Sequence, residues 1–152
     1  MKKQLIIIAV AAFGFFTNVH AFAPKKKTSS LTSPKIEKAF LEQFGELPDV
    51  EWSRQGNDML HASFTVDNTA SDAYFDNDGN FVCVNTPVQK ENLPLKLRMA
   101  MNTKLEGCTI GAILQTNTSE ETAYYIHATS DKGVKVWKGY ANGSIELFKK
   151  IK

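Results

Sequence analysis

The sequence predicts an α+β fold of two tandem helix-plus-antiparallel-sheet units, in the order α-β4-α-β4. Three observations predict it. An apolar stripe of helical spacing opens each half. Four strand-like segments, separated by turn residues, follow each stripe. The halves also correspond in position. Shifting the first helix by 61 residues places Ile36 on Leu97, Ala39 on Ala100, Phe40 on Met101 and Phe44 on Leu105. Shifting the later strands by 64 places Asp67 on Asp131, Gly79 on Gly143, Phe81 on Ile145 and Cys83 on Leu147. This reads as a degenerate two-fold internal repeat, about 34–88 and 91–151, with too few copies for a solenoid.

The elements follow from the N-terminus. "MKKQLIIIAVAAFGFFTNVHAFA" joins Lys2 and Lys3 to an uncharged apolar run, Leu5 to Phe16, and a small-residue site. The run is shorter than the roughly 20 residues a membrane-spanning helix needs, so residues 1–21 read as a secretory signal peptide cleaved after Ala21. Cleavage after Ala23 would place Pro24 just past the cut, a poor fit for a peptidase. No cysteine stands near the site for lipid attachment, so the product is expected to be periplasmic or secreted, without a membrane span after cleavage. Residues 22–33, with "PKKKTSSLTS", read as a flexible basic N-terminal segment.

Residues 34–152 read as a single domain, consistent with a 152-residue chain that is 43% hydrophobic and 22% charged. Ser33-Pro34 suits a helix start, the stripe Ile36, Ala39, Phe40, Phe44 gives it one apolar face, and Gly45 ends it. "VEWSR", "MLHASFTV", "SDAYF" and "NFVCV" read as strands. In the second, Leu60, Ala62, Phe64 and Val66 alternate with His61, Ser63 and Thr65. Leu93, Leu97, Ala100, Met101 and Leu105 form the second helical stripe, stopped by Gly107. "CTIGAILQT", "TAYYIHAT", "VKVWKGY" and "SIELFKKI" complete the strands, with Asn142-Gly143 a strong hairpin signal.

Between the third and fourth strands lies "DNDGN", which superficially resembles a calcium loop. With Gly79 at loop position 6, Tyr74 and Asn85 fall where an EF-hand needs carboxylates. The corresponding turn "GYANGS" has no acid, so a corner is expected and no metal.

Several function classes are excluded or unsupported. Removing residues 1–21 takes two of 18 basic residues and none of the 16 acidic ones, leaving formal charge at zero, so no global field attracts nucleic acid. His61 and His127 stand apart, with no metal-binding spacing, and no nucleophile elbow or phosphate-cradling loop is present. Glu120-Glu121 reads as a solvated loop pair. No enzyme and no cofactor is expected. Cys83 and Cys108 can pair in an oxidising compartment or remain two buried thiols. What remains is a surface. Alternation suggests that Tyr74, Tyr125, His127, Trp137 and Tyr140 share one side or rim of the sheet, and such aromatics suit either cross-strand packing or a protein partner.

At "FLEQFGELPDVEW", "ASFTVDN", "AYFDNDGNFV", "ENLPLKLRMAM" and "WKGYANGSIELF" the chain resembles the PepSY-like, beta-lactamase-inhibitor-protein-like family of exported bacterial proteins, over nearly all of residues 34–150. The resemblance implies that the tandem units form one sheet with the helices packed on one face. It also implies a binding or inhibitory role toward another envelope or secreted protein, such as a hydrolase. It fixes no inhibitory residues. The alternative is a periplasmic carrier or sensor of a small ligand, which would need a concave apolar cavity of about 300 Å³ or more.

Overall fold

The structure, a computed structural model, describes residues 31–151. The expected signal peptide, residues 1–21, and all but the end of the basic segment lie outside the described residues. Helix α1 (Pro34–Phe44) is followed by β1 (Glu51–Gln55), β2 (Met59–Val66), β3 (Thr69–Asp76) and β4 (Phe81–Pro87). A 3-10 turn (Lys90–Asn92) leads into α2 (Leu95–Lys104), then β5 (Thr109–Asn117), β6 (Thr122–Ser130), β7 (Gly133–Gly139) and β8 (Ile145–Ile151).

One expectation is corrected. The chain is not two tandem helix-plus-four-strand units. Its described strands form a single eight-stranded sheet in the order β1-β2-β3-β4-β5-β6-β7-β8, accompanied among the described residues by two α-helices. The chain does divide into two compact halves, but the division falls between Val84 and Asn85, inside β4 rather than at a linker. The physical reason lies in the sheet edge. A unit closed after β4 would leave a row of backbone donors and acceptors unpaired, whereas β4 beside β5 satisfies them. Periodicity within each strand carries no record of that neighbour.

In the first half, the apolar side of α1 packs Ile36 and Phe40 onto Leu60, Ala62, Phe64, Ala73 and Phe75. Phe40 sits centrally, with ring centroids 5.3 Å from Phe64, 5.4 Å from Trp52 and 5.0 Å from Phe44. The β2–β3 turn places Asp67 and Asn68 at φ 48° and 62°, the left-handed pair that a two-residue hairpin turn needs. In the second half, Leu97 and Met101 of α2, with Leu93 and Leu105 at its ends, cover Ile113, Tyr124, Ile126 and Ala128. All four large members of the second sequence stripe are therefore buried. Gly139 is held to glycine by closeness, since a Cβ there would lie 2.7 Å from Leu97 Cδ1.

The "DNDGN" segment is a corner. The Asp76 carboxylate accepts from the Asn80 backbone N–H and from Asn80 Nδ2, both at 2.8 Å, while Gly79 N–H donates to the Asp76 carbonyl at φ 78°. The Tyr140–Ser144 turn repeats the backbone pattern with no carboxylate: Gly143 N–H donates to the Tyr140 carbonyl and Tyr140 N–H to the Ser144 carbonyl. The aspartate thus serves the turn itself. Thermal melts are expected to coincide in excess calcium and in excess chelator; a calcium-dependent shift of several degrees would contradict this account.

Candidate functional site

Each half has a sheet side turned away from its helix, and polar and aromatic chemistry concentrates there. In the first half, strand register does the assembly. Ser53 on β1 lies opposite His61 on β2, and His61 lies opposite Tyr74 on β3. Because Leu60 and Ala62 point to the α1 core, His61 points away from it. Its imidazole stacks on the Tyr74 ring at 5.0 Å and 25°. Its Nε2 lies 2.6 Å from Asp72 Oδ1 and its Nδ1 lies 2.9 Å from Ser53 Oγ. If Nε2 carries the proton toward the carboxylate, Nδ1 is left to accept from the Ser53 hydroxyl. The three side chains thereby adopt the order nucleophile, base and orienting acid. Ser53 stands exposed on an edge strand. No motif spacing marks this chain of contacts, since its members are separated by a hairpin each and meet only through register.

Beside it, Tyr74 packs with Met59 and Cys83, a small buried cluster on the same side. Of the two alternatives left open for the cysteines, the structure has the unpaired one: Cys83 is a buried free thiol and Cys108 a half-buried one. Burial pushes the Cys83 thiol up to about 12, which leaves it protonated and unreactive at neutral pH.

In the second half the corresponding side is richer. The two-residue turn after Ser130 pairs it with Gly133, so Tyr125 lies opposite Lys138 and Ile126 opposite Trp137. Tyr125 packs edge-on against Phe148, centroids 4.9 Å apart at 77°. Lys138 Nζ donates to Glu121 Oε1 at 2.7 Å and sits 4.9 Å from the centre of the Tyr140 ring. Tyr140 OH donates to Glu146 Oε1 at 3.3 Å. Burial works against the Lys138 charge, but its hydrogen bonds to Glu121 and Tyr140 outweigh it and hold the ammonium above the ordinary lysine range. His127 is half-buried, and burial pushes its imidazole below the usual value. Deeper in the sheet, Thr116 Oγ1 donates to Asn85 Oδ1 at 2.7 Å with both residues buried, and Asn85 Nδ2 has no partner.

The five aromatic and histidine candidates are therefore not one exposed surface. Tyr74 and Tyr125 are almost fully buried, 3% and 1% exposed. Trp137 is corrected outright: it lies on the helix side, packed against the Leu97 cluster with Lys104 Nζ 6.0 Å from its ring. The error is one of register, because the hairpin puts even-numbered β7 residues on the side of odd-numbered β6 residues. His127 and Tyr140 keep partial exposure. Lys138, Glu121, Glu146 and Phe148 were missed. Lys138 was within reach, as the residue next to a misassigned tryptophan; Phe148 was not, because a bulge between Val136 and Trp137 shifts β8 by one residue.

With this geometry in view, solved structures supply a comparison. A BLIP-like protein from Bacteroides fragilis superposes with a TM-score of 0.68 at 15% identity, covering 78% of this chain and 84% of that one. The chain shares its fold with that protein. A DUF2874-family protein from Bacteroides uniformis gives 0.67 at 13% identity, covering 75% and 86%. A protein from Bacteroides eggerthii provisionally assigned to the periplasm gives 0.65 at 13%, covering 78% and 87%. At such identities the likeness is one of fold. No protein-family profile and no curated protein matches the sequence, and the PepSY side of the resemblance has no support among these structures.

Among the described residues, no group of three or more His, Cys, Asp or Glu side chains could hold a metal ion, and no helix is long and apolar enough to cross a membrane.

Proposed function

We propose that the chain is an exported, non-enzymatic protein-binding module whose partner is another envelope or secreted protein, with inhibition of a hydrolase as one form of that role. The observation that carries this reading is the Glu121–Lys138–Tyr140–Glu146 network around Tyr125 and Phe148. Such a surface offers the half-buried Tyr140 and Phe148 rings already fixed in place, so a partner pays little ordering entropy on docking. Its charges are held by neighbours, which favours orientation and specificity over raw affinity. The BLIP-like neighbour agrees with this reading at the level of fold. The secretory pattern of residues 1–21 supports export to the periplasm or beyond.

The test is affinity capture from envelope extract by wild-type protein and by Lys138→Ala, with bound proteins identified by mass spectrometry. A partner retained by wild type and lost by Lys138→Ala supports the proposal; one retained equally by both contradicts the assigned surface. The non-enzymatic part has its own check at Ser53, a hydroxyl bonded to a histidine–aspartate pair. A fluorophosphonate probe is expected to leave the protein unlabelled. Stoichiometric labelling at Ser53, abolished in His61→Ala, would make it a serine hydrolase instead.

A further inference from the structure

On β1, Trp52 and Ser53 point to opposite sides, and the Trp52 side carries a second feature. A groove of about 400 Å³ lies between the C-terminal part of α1, the loop after it and the start of the sheet. Phe40, Trp52, Leu41 and Leu47 supply apolar lining, and Glu37 and Glu46 supply carboxylates. Among the described residues, no lysine, arginine or histidine lines it. We propose that this groove binds a small organic cation with an apolar body, an aryl or alkyl amine, independently of the protein-binding surface proposed above.

The volume falls in the range of about 300–1,000 Å³ usual for small-molecule sites. The walls are set before any ligand arrives. Phe40 is 5% exposed and fixed against Phe44, Phe64 and Trp52. Leu41, by contrast, is 49% exposed, an apolar side chain left open at the groove. The charges select the ligand. Glu37 accepts from Thr32 Oγ1 at 2.6 Å and Glu46 has no ion-pair partner among the described residues. Glu37 also suits the first turn of a helix, where carboxylates are favoured. Glu46 has no such reason to be there. Two exposed carboxylates of one sign beside the half-buried Trp52 and the exposed Leu41 repel anions and attract a cation, whose apolar body those two side chains then cover. A carboxylate or phosphate ligand would meet the wrong charge on entering.

Trp52 reports on its own site. The chain has two tryptophans, so in a Trp137→Phe background Trp52 is the sole indole. Titration of the purified protein with benzylamine is expected to give a saturable change in tryptophan fluorescence, while benzoate gives none. Glu37→Gln combined with Glu46→Gln is expected to weaken benzylamine by about fivefold or more, the scale of a partly screened ion pair, with cooperative melting of the fold retained. Absence of saturation, equal binding of benzyl alcohol, or full binding by the double Gln variant would each overturn the proposal. Saturation by a Phe-Arg dipeptide amide without saturation by benzylamine would assign the groove to peptide and overturn the small-ligand claim. None of these outcomes depends on whether the Lys138 surface captures a protein.

Discussion

Phe40→Ala is expected to lower folding stability by about 3–5 kcal/mol, the range for removing a buried aromatic ring. The ring touches four others, Phe44, Trp52, Phe64 and Phe75. Deleting it removes transfer free energy and edge-to-face contacts together, and leaves a void that rigid neighbours fill poorly. A domain of this size has about 5–15 kcal/mol in total, so the variant should lie near the edge of unfolding. Urea denaturation checks it. A loss below about 1 kcal/mol, typical of exposed positions, would mean that α1 is not seated on β1–β3 as described.

Trp137→Ala is expected to cost about 2–4 kcal/mol, somewhat below full burial because the ring is half-buried. It packs beside Leu97, Met101 and Ile126, so its loss opens the second core. Trp137→Phe should be far milder, within about 1 kcal/mol, since it keeps most of the ring and removes an indole N–H that is buried with no acceptor. Calorimetric melting of the two variants separates this placement from a surface one. Near-wild-type melting of Trp137→Ala would return the tryptophan to the exposed side of the sheet.

The contrast between Phe40 and Trp137 shows what a sequence of this kind reveals. Both helices are legible because their stripes repeat within one element: Ile36 and Phe40, Leu97 and Met101 are buried as spacing requires. Turns are legible because their chemistry is local, as Asp76, Gly79 and Asn80 show. Strand faces are legible only one strand at a time. Which side of β6 meets which side of β7 depends on a two-residue turn, and the facing of Phe148 depends on a bulge. Trp137 was misplaced for that reason, and Ser53, His61 and Asp72 were never brought together. The continuity of the sheet through β4 and β5 is a fact about edges, which strand composition does not encode.

The central claim is that the Lys138–Tyr140–Glu146 surface, and not the helix side, meets the partner. Tyr140 tests it most directly, being partly exposed and bonded to Glu146 beneath the Lys138 ammonium. The measurement is titration calorimetry of the captured partner with wild type, Tyr140→Ala, and Glu106→Ala, an exposed position beyond the end of α2. The account predicts about tenfold or greater loss of affinity for Tyr140→Ala, roughly 1.4 kcal/mol, with folding retained and Glu106→Ala unchanged. Wild-type affinity in Tyr140→Ala alongside a tenfold loss in Glu106→Ala would contradict it.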